Sequence, residues 1–319
     1  MKGIQKIKIS NKYASFSLEL RRNITVVRGD SGTGKTTLFN LISEHTRLGA
    51  ASGVNLSSNK RCMALTDLDW KNQLRNTKDS IVFIDEGDQY VYSREFAEEM
   101  KASDNYYVLF VRENLHELPY SVEEIYEIKT SGKYHTLKKM YKPKKGFVYA
   151  GTAKGKKDFR MLLAEDAKSG FQFYENYFAG SGVQCFSADG NSGIYNWLLN
   201  HLMEQKIFVV ADGAAFGAEM NRVMELQKRF PDRITICLPE SFEWMILKSG
   251  LIATDNLEDM LANTSNYVDS EKYFSWEHFF HKYLVDITRG TYQKYTKAKI
   301  ESYYTIENNM KKIAAVILL

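Results

Sequence analysis

The densest chemistry lies in Gly29-Asp-Ser-Gly-Thr-Gly-Lys-Thr36, a G-x-x-x-x-G-K-T pattern after the apolar, β-branched run Ile24-Thr-Val-Val-Arg28. A strand before such a loop and a helix after it make the context in which backbone N–H groups turn inward around phosphate oxygens. Glycines suit the loop because a side chain would block those conformations. The expected cradle is Gly29, Asp30, Ser31, Gly32, Thr33, Gly34, Lys35, Thr36 and Thr37, with the positive end of the following helix adding attraction. Lys35 should reach the outer phosphates, and the Thr36 hydroxyl should ligate Mg²⁺. Downstream, the continuous apolar run Ile81-Val-Phe-Ile84 ends in Asp85-Glu86. Asp85 would hold Mg²⁺ through water, and Glu86 would take a proton from water attacking the terminal phosphate. Arg112 either contacts that phosphate or a bound partner, or pairs with Glu113 or another neighbour.

The elements needed to position these residues are legible around them. Leu38, Phe39, Leu41 and Ile42 repeat at helical spacing after the loop. Arg61–Leu65, Tyr106–Val111 and Glu124–Lys129 read as strands, and Ser93–Ala102 as a helix with a serine cap. Strands alternating with helices predict a parallel α/β sheet with ligands at the carboxyl ends of the strands. Ile4, Ile7 and Ile9, then Phe16, Leu18 and Leu20, read as an antiparallel hairpin at the sheet edge.

Alternation continues in the second half. Strands at Phe159–Ala164, Val183–Phe186, Ile207–Ala211 and Ile234–Leu238 are each followed by an acid and then a helix, making four βα units. Carboxylates gathered at one end of a parallel sheet need a compensating cation. Without histidine or thiol nearby, the donors suit Mg²⁺ or Mn²⁺. Glu165 and Asp212 are the candidate ligands, with helix capping as the alternative; Asp166, Asp189 and Glu240 fit capping or supporting roles better. Trp276–Leu319 reads as helical, and its apolar end could pack on the body or on a second chain in a homo-oligomer.

The chain has 319 residues, 44% hydrophobic and 26% charged, with only 4 prolines, which excludes collagen-like or wholly disordered chains. No apolar run approaches the ~20 residues that span a bilayer, and no signal peptide is recognisable. Cys62, Cys185 and Cys237 form no C-x-x-C pair, arguing against a zinc or disulfide framework and for a reducing cytoplasm. Residues 1–150 carry 24 Lys and Arg against 18 Asp and Glu; residues 151–319 carry 19 against 21. Much of the excess lies between Lys129 and Arg160, where Lys133, Lys138, Lys139, Lys142, Lys144, Lys145, Lys154, Lys156 and Lys157 alternate with aromatics. That suits DNA or RNA, or a solvated hairpin followed by a linker. Pro143, Gly146, Gly151 and Gly155 put the domain boundary here. The expected organisation is a nucleotide-binding domain over 1–145, a basic linker over 146–158, an α/β domain over 159–262 and a helical segment over 263–319.

The strand pair, the Ile-Thr-Val-Val strand, the phosphate loop (Walker A) and the acidic strand end at Asp85-Glu86 (Walker B) resemble the P-loop ATPases with an added catalytic glutamate. That branch includes the ABC and AAA-like proteins, and the likeness covers Ile4–Tyr141. It implies ATP binding and Mg²⁺-dependent hydrolysis, with Lys35, Glu86 and Arg112 as the catalytic set. No LSGGQ-like signature follows. The second half is similar to the Toprim domain of primases, topoisomerases and some nucleases over Phe159–Leu247. Glu165 matches that fold's glutamate and Asp212 the start of its D-x-D, with Ala214 in place of the second aspartate. Joined, the two resemble the overcoming-lysogenization-defect nucleases and related anti-phage ATPase/Toprim systems, which implies Mg²⁺- or Mn²⁺-dependent action on nucleic acid. Two other functions are compatible with the sequence: a P-loop kinase of a small molecule, and a non-catalytic nucleotide switch that binds a protein partner.

Overall fold

The computed structural model describes residues 1–30, 32–66, 69–143, 147–149, 159–202 and 205–317. Contacts divide the chain into two units, Met1–Tyr141 with Ala262–Ser275, and Lys142–Leu261 with Trp276–Leu319.

The first unit begins with β1 (Gln5–Ser10), β2 (Ser15–Leu20), β3 (Ile24–Val27) and α1 (Lys35–Leu48). It continues with β4 (Asn55–Ser58), β5 (Arg61–Ala64), α2 (Trp70–Arg75), β6 (Ser80–Ile84) and α3 (Arg94–Lys101). It closes with β7 (Tyr106–Phe110), β8 (Ile125–Ser131) and β9 (Tyr134–Lys139). These strands make one mixed sheet in the order β4-β1-β2-β9-β8-β3-β7-β6-β5. Its two halves differ in a way the residue patterns explain. Strands β3, β6 and β7 are buried along their whole length and pair in parallel, as uninterrupted Val, Ile and Phe runs require. In β1 and β2 burial alternates, so one face packs and the other meets water. The packed face brings Ile7, Ile9, Phe16 and Leu18 into one core with Leu38, Leu41 and Ile42 of α1. α3 starts at Ser93, whose hydroxyl accepts from the Phe96 N–H, as its residue type predicts.

In the second unit the elements are β10 (Phe147–Tyr149), β11 (Met161–Ala164), α4 (Ser169–Tyr177), β12 (Gln184–Ser187) and α5 (Asn191–His201). Then come β13 (Ile207–Val210), α6 (Gly217–Arg229), β14 (Ile234–Leu238), α7 (Phe242–Lys248) and α8 (Leu257–Ala262). The last elements are α9 (Trp276–Thr288) and α10 (Glu307–Ala315). The sheet is entirely parallel, ordered β10-β14-β13-β11-β12, and the four βα units are present. The molecule is therefore mixed α/β throughout.

Two expectations need correction. The hairpin β1–β2 is not a free sheet edge: β4 pairs with β1 on the outside, and β2 joins β9 in parallel. The segment after residue 262 does not stand apart as one helical piece. Ala262–Ser275 returns to the first unit, where Gly3 N–H donates to Ser265 O at 2.7 Å and the Asn23 amide to Phe274 O at 3.0 Å. The remainder packs on the second unit: Ile313, Ala314 and Ile317 are buried, and α10 lies against α4 and α7. The basic linker over 146–158, with Lys154, Lys156 and Lys157, falls outside the described residues apart from the β10 backbone, as do Lys144 and Lys145 just before it. No helix among the described residues is long and apolar enough to cross a membrane.

Candidate functional site

The loop between β3 and α1 is shaped by its glycines. Gly34 sits at φ +98°, a conformation strained for any side chain, and serves as the N-cap of α1, with no side chain among the described residues satisfying the first-turn N–H groups. No acid lies in that first turn. The helix thus begins with open donors and an uncompensated positive end, the arrangement that attracts an anion. Lys35 is buried, and its ammonium donates to the Gly29 carbonyl and, at 3.1 Å, to the Asp30 carbonyl. A cation folded back onto its own loop is ready to exchange those carbonyls for phosphate oxygens.

Sheet order decides what faces this loop. β7 lies between β3 and β6, so the loop and the Asp85-Glu86 strand end are two strand spacings apart, or about 10 Å. Arg112 follows the strand between them. Its guanidinium donates to Glu86 Oε1 at 2.6 Å, while Glu86 Oε2 lies 3.5 Å from Lys35 Nζ. The Arg112 hydrogen bond, followed by the Lys35 charge, holds the Glu86 carboxyl below the usual carboxylate range despite partial burial. Of the two partnerships open to Arg112, an ion pair is formed, and its partner is Glu86 rather than Glu113. Asp85 Oδ1 is buried with no hydrogen-bond partner among the described residues. An orphaned carboxylate oxygen beside the open glycine-rich loop, with Thr36 exposed at the head of α1, fits a hard cation.

Gly32, Thr33, Gly34, Lys35, Thr36 and Thr37 line a cavity of about 360 Å³ together with Glu86 and Arg112. Two further lining residues, Thr130 and His135, escape the sequence reading. They lie on β8 and β9, which the sheet order places on the side of β3 opposite Arg112. His135 stacks on Phe16 with ring centroids 4.3 Å apart, and its Nδ1 hydrogen-bonds the Thr130 hydroxyl at 2.9 Å. A Cβ on Gly34 would lie 3.6 Å from that Nδ1. Only the parallel pairing of β2 with β9 brings His135 here, and no local motif announces it. Of the expected cradle, Ser31 lies outside the described residues.

In the second unit, Glu165 and Asp212 follow the adjacent strands β11 and β13 and do come together. The Asp212 N–H donates to Glu165 Oε2 at 2.8 Å. Burial, then the neighbouring carboxylate, raises the proton affinity of Asp212; burial also raises that of Glu165. They line a cavity of about 20 Å³ walled by Gly170, Tyr174, Phe242 and Met245, room for one water or one ion. Asp166 takes the capping role, its Oδ1 accepting from Phe171 N–H at 3.1 Å. Ala214 is buried and its N–H bonded to the Glu240 carbonyl at 3.2 Å, so no second aspartate reaches the cavity from there. The cation present is Lys297, which pairs with Glu277 at 2.7 Å and whose charge eases that of Glu165 and Asp212. Among the described residues no group of three or more His, Cys, Asp or Glu side chains forms a metal cage. The donors fit at most one Mg²⁺-type ion that keeps water or substrate oxygens as its other ligands.

Part of the basic region is neutralised. Lys138 pairs with Glu127 at 2.7 Å and Lys139 with Glu123 at 2.6 Å. Comparison with family models, curated proteins and solved structures finds no match to this chain.

Proposed function

We propose that this chain is a P-loop ATPase of the type with an added catalytic glutamate, whose second unit is a Toprim-like domain acting on nucleic acid. One observation carries the first part. An uncapped helix N-terminus and a buried lysine open into the same 360 Å³ cavity as Glu86 and Arg112, which follow the neighbouring strands. The backbone amides and Lys35 bind the phosphate tail, and Thr36 with Asp85 would hold Mg²⁺, which supplies charge neutralisation on the outer phosphates when bound. The bound tail competes for Lys35 and Arg112, and Glu86, released from both, orients a water and accepts its proton. Arg112 then neutralises charge developing on the terminal phosphate.

In the second unit, Glu165 and Asp212 would hold a single Mg²⁺ or Mn²⁺ against a nucleic-acid phosphate, with Lys297 balancing the remaining negative charge. A two-ion scheme has no support, because Ala214 offers no ligand. The ion pair of Glu86 with Arg112 favours one other reading, a nucleotide switch that binds without turnover. Phosphate release separates the two. Hydrolysis by the wild type that Glu86→Gln abolishes supports the ATPase; tight ATP binding with no release by the wild type supports the switch. Failure to bind ATP at all refutes both.

A further inference from the structure

The outer face of the β4-β1-β2-β9-β8 half of the sheet plays no part in the nucleotide cavity. Phe16 and His135 stack on the inner face toward Gly34, so their neighbours along β2 and β9 point the other way. The ladder pairings align Ser57, Lys8, Ser17, Thr136 and Lys129 in one row across five strands. That row spans about 19 Å, and all five residues are exposed. In the next row Ser15 stands beside Tyr134, which is 61% exposed. The adjoining turn adds Tyr13 at 70% exposure, and the Ser15 N–H bonded to the Lys133 carbonyl at 2.7 Å ties the two turns together. Each tyrosine carries a lysine over its ring, Lys12 at 4.7 Å and Lys133 at 5.6 Å from the centroids.

Positive charge predominates on this face. Its carboxylates are already engaged, Glu19 by Arg21 at 2.7 Å and Glu127 by Lys138 at 2.7 Å. Lys8, Lys12, Lys129 and Lys133 form no ion pair with a carboxylate among the described residues, while Lys6 stands opposite Glu19 in the β1–β2 ladder. Unpaired lysines in rows with hydroxyls, beside two exposed aromatic rings, provide phosphate contacts and stacking surfaces together.

We propose that this sheet face binds single-stranded nucleic acid without sequence preference, its backbone along the Lys8–Lys129 row and its unpaired bases on Tyr13 and Tyr134. The proposal relocates the nucleic-acid part of the reading above to these residues and is independent of its nucleotide part. The test is fluorescence anisotropy of labelled oligothymidylate and oligouridylate of about 16 nucleotides, titrated with the full chain at several salt concentrations. Replacing Tyr13 and Tyr134 together by alanine should weaken binding about tenfold or more, while the double phenylalanine variant binds as wild type. Replacing Lys8 and Lys129 by glutamine should flatten the log affinity against log salt slope by about 1.4. All four positions are exposed, and ATP affinity measured in parallel should not change. A wild type that binds neither oligonucleotide removes the nucleic-acid reading and this proposal together. Binding that survives every substitution, or a duplex of equal length that binds more tightly, overturns the proposal alone.

Discussion

Arg112 reaches from the end of β7 to Glu86 at the end of β6, donating a 2.6 Å hydrogen bond to its Oε1. In the proposed hydrolysis Glu86 would serve as the base, and here its carboxylate is held in a pair with Arg112. A phosphate that draws Arg112 and Lys35 toward itself is what would release it. On the proposed reading, binding and proton transfer would be linked through the same two cations.

Glu86→Gln should lower phosphate release about 100-fold or more, with ATP affinity changed only a few-fold. Stopped-time phosphate assays beside a fluorescent-nucleotide titration check this. A matching loss of affinity would mean Glu86 acts in binding instead.

The same pair sets a pH dependence. The folded-state carboxyl of Glu86 titrates below its ordinary value, first because of Arg112. Its stabilising contribution is therefore present above about pH 4.3 and fades as pH falls through the lowered value. Arg112→Ala should be less stable than wild type at pH 7, and the gap should narrow as pH falls through the lowered Glu86 value. Urea unfolding across that range measures it.

Gly34→Ala places a side chain at φ +98° against Phe16 and His135. The expected cost is about 1–2 kcal/mol of stability together with loss of ATP binding. Lys35→Ala should leave the fold intact but remove the thermal shift that saturating ATP gives, about 2.7 kcal/mol at a hundred times Kd. Differential scanning fluorimetry with and without ATP distinguishes the two effects.

Asp212 and Glu165 shift the other way. Burial raises their affinity for protons, so they favour the folded state at low pH and cost stability as pH rises. Asp212→Asn should be more stable than wild type at pH 8, with the difference shrinking as pH falls toward the ordinary carboxylate range. Mn²⁺ at pH 8 should raise the wild-type Tm and leave Asp212→Asn unmoved. If Mn²⁺ moves neither, the pair is no ion site.

Local spacing alone determined the glycine-rich loop Gly29–Thr36, the strand before it, the helix after it and the acids at Asp85, Glu86, Glu165 and Asp212. Those features follow from short-range rules, glycine conformations, apolar periodicity and the acid that ends a buried strand. Tertiary pairing decided the rest. Which strand separates Gly29–Thr36 from Glu86, why Arg112 meets Glu86 rather than Glu113, and how His135 comes beside Gly34 all depend on strand order between residues far apart in the chain. The return of Ala262–Ser275 to the first unit, and the row from Lys8 to Lys129 across five strands, are also long-range. Hydrogen-bonded register sets them, and a backbone ladder leaves no signature in side-chain type.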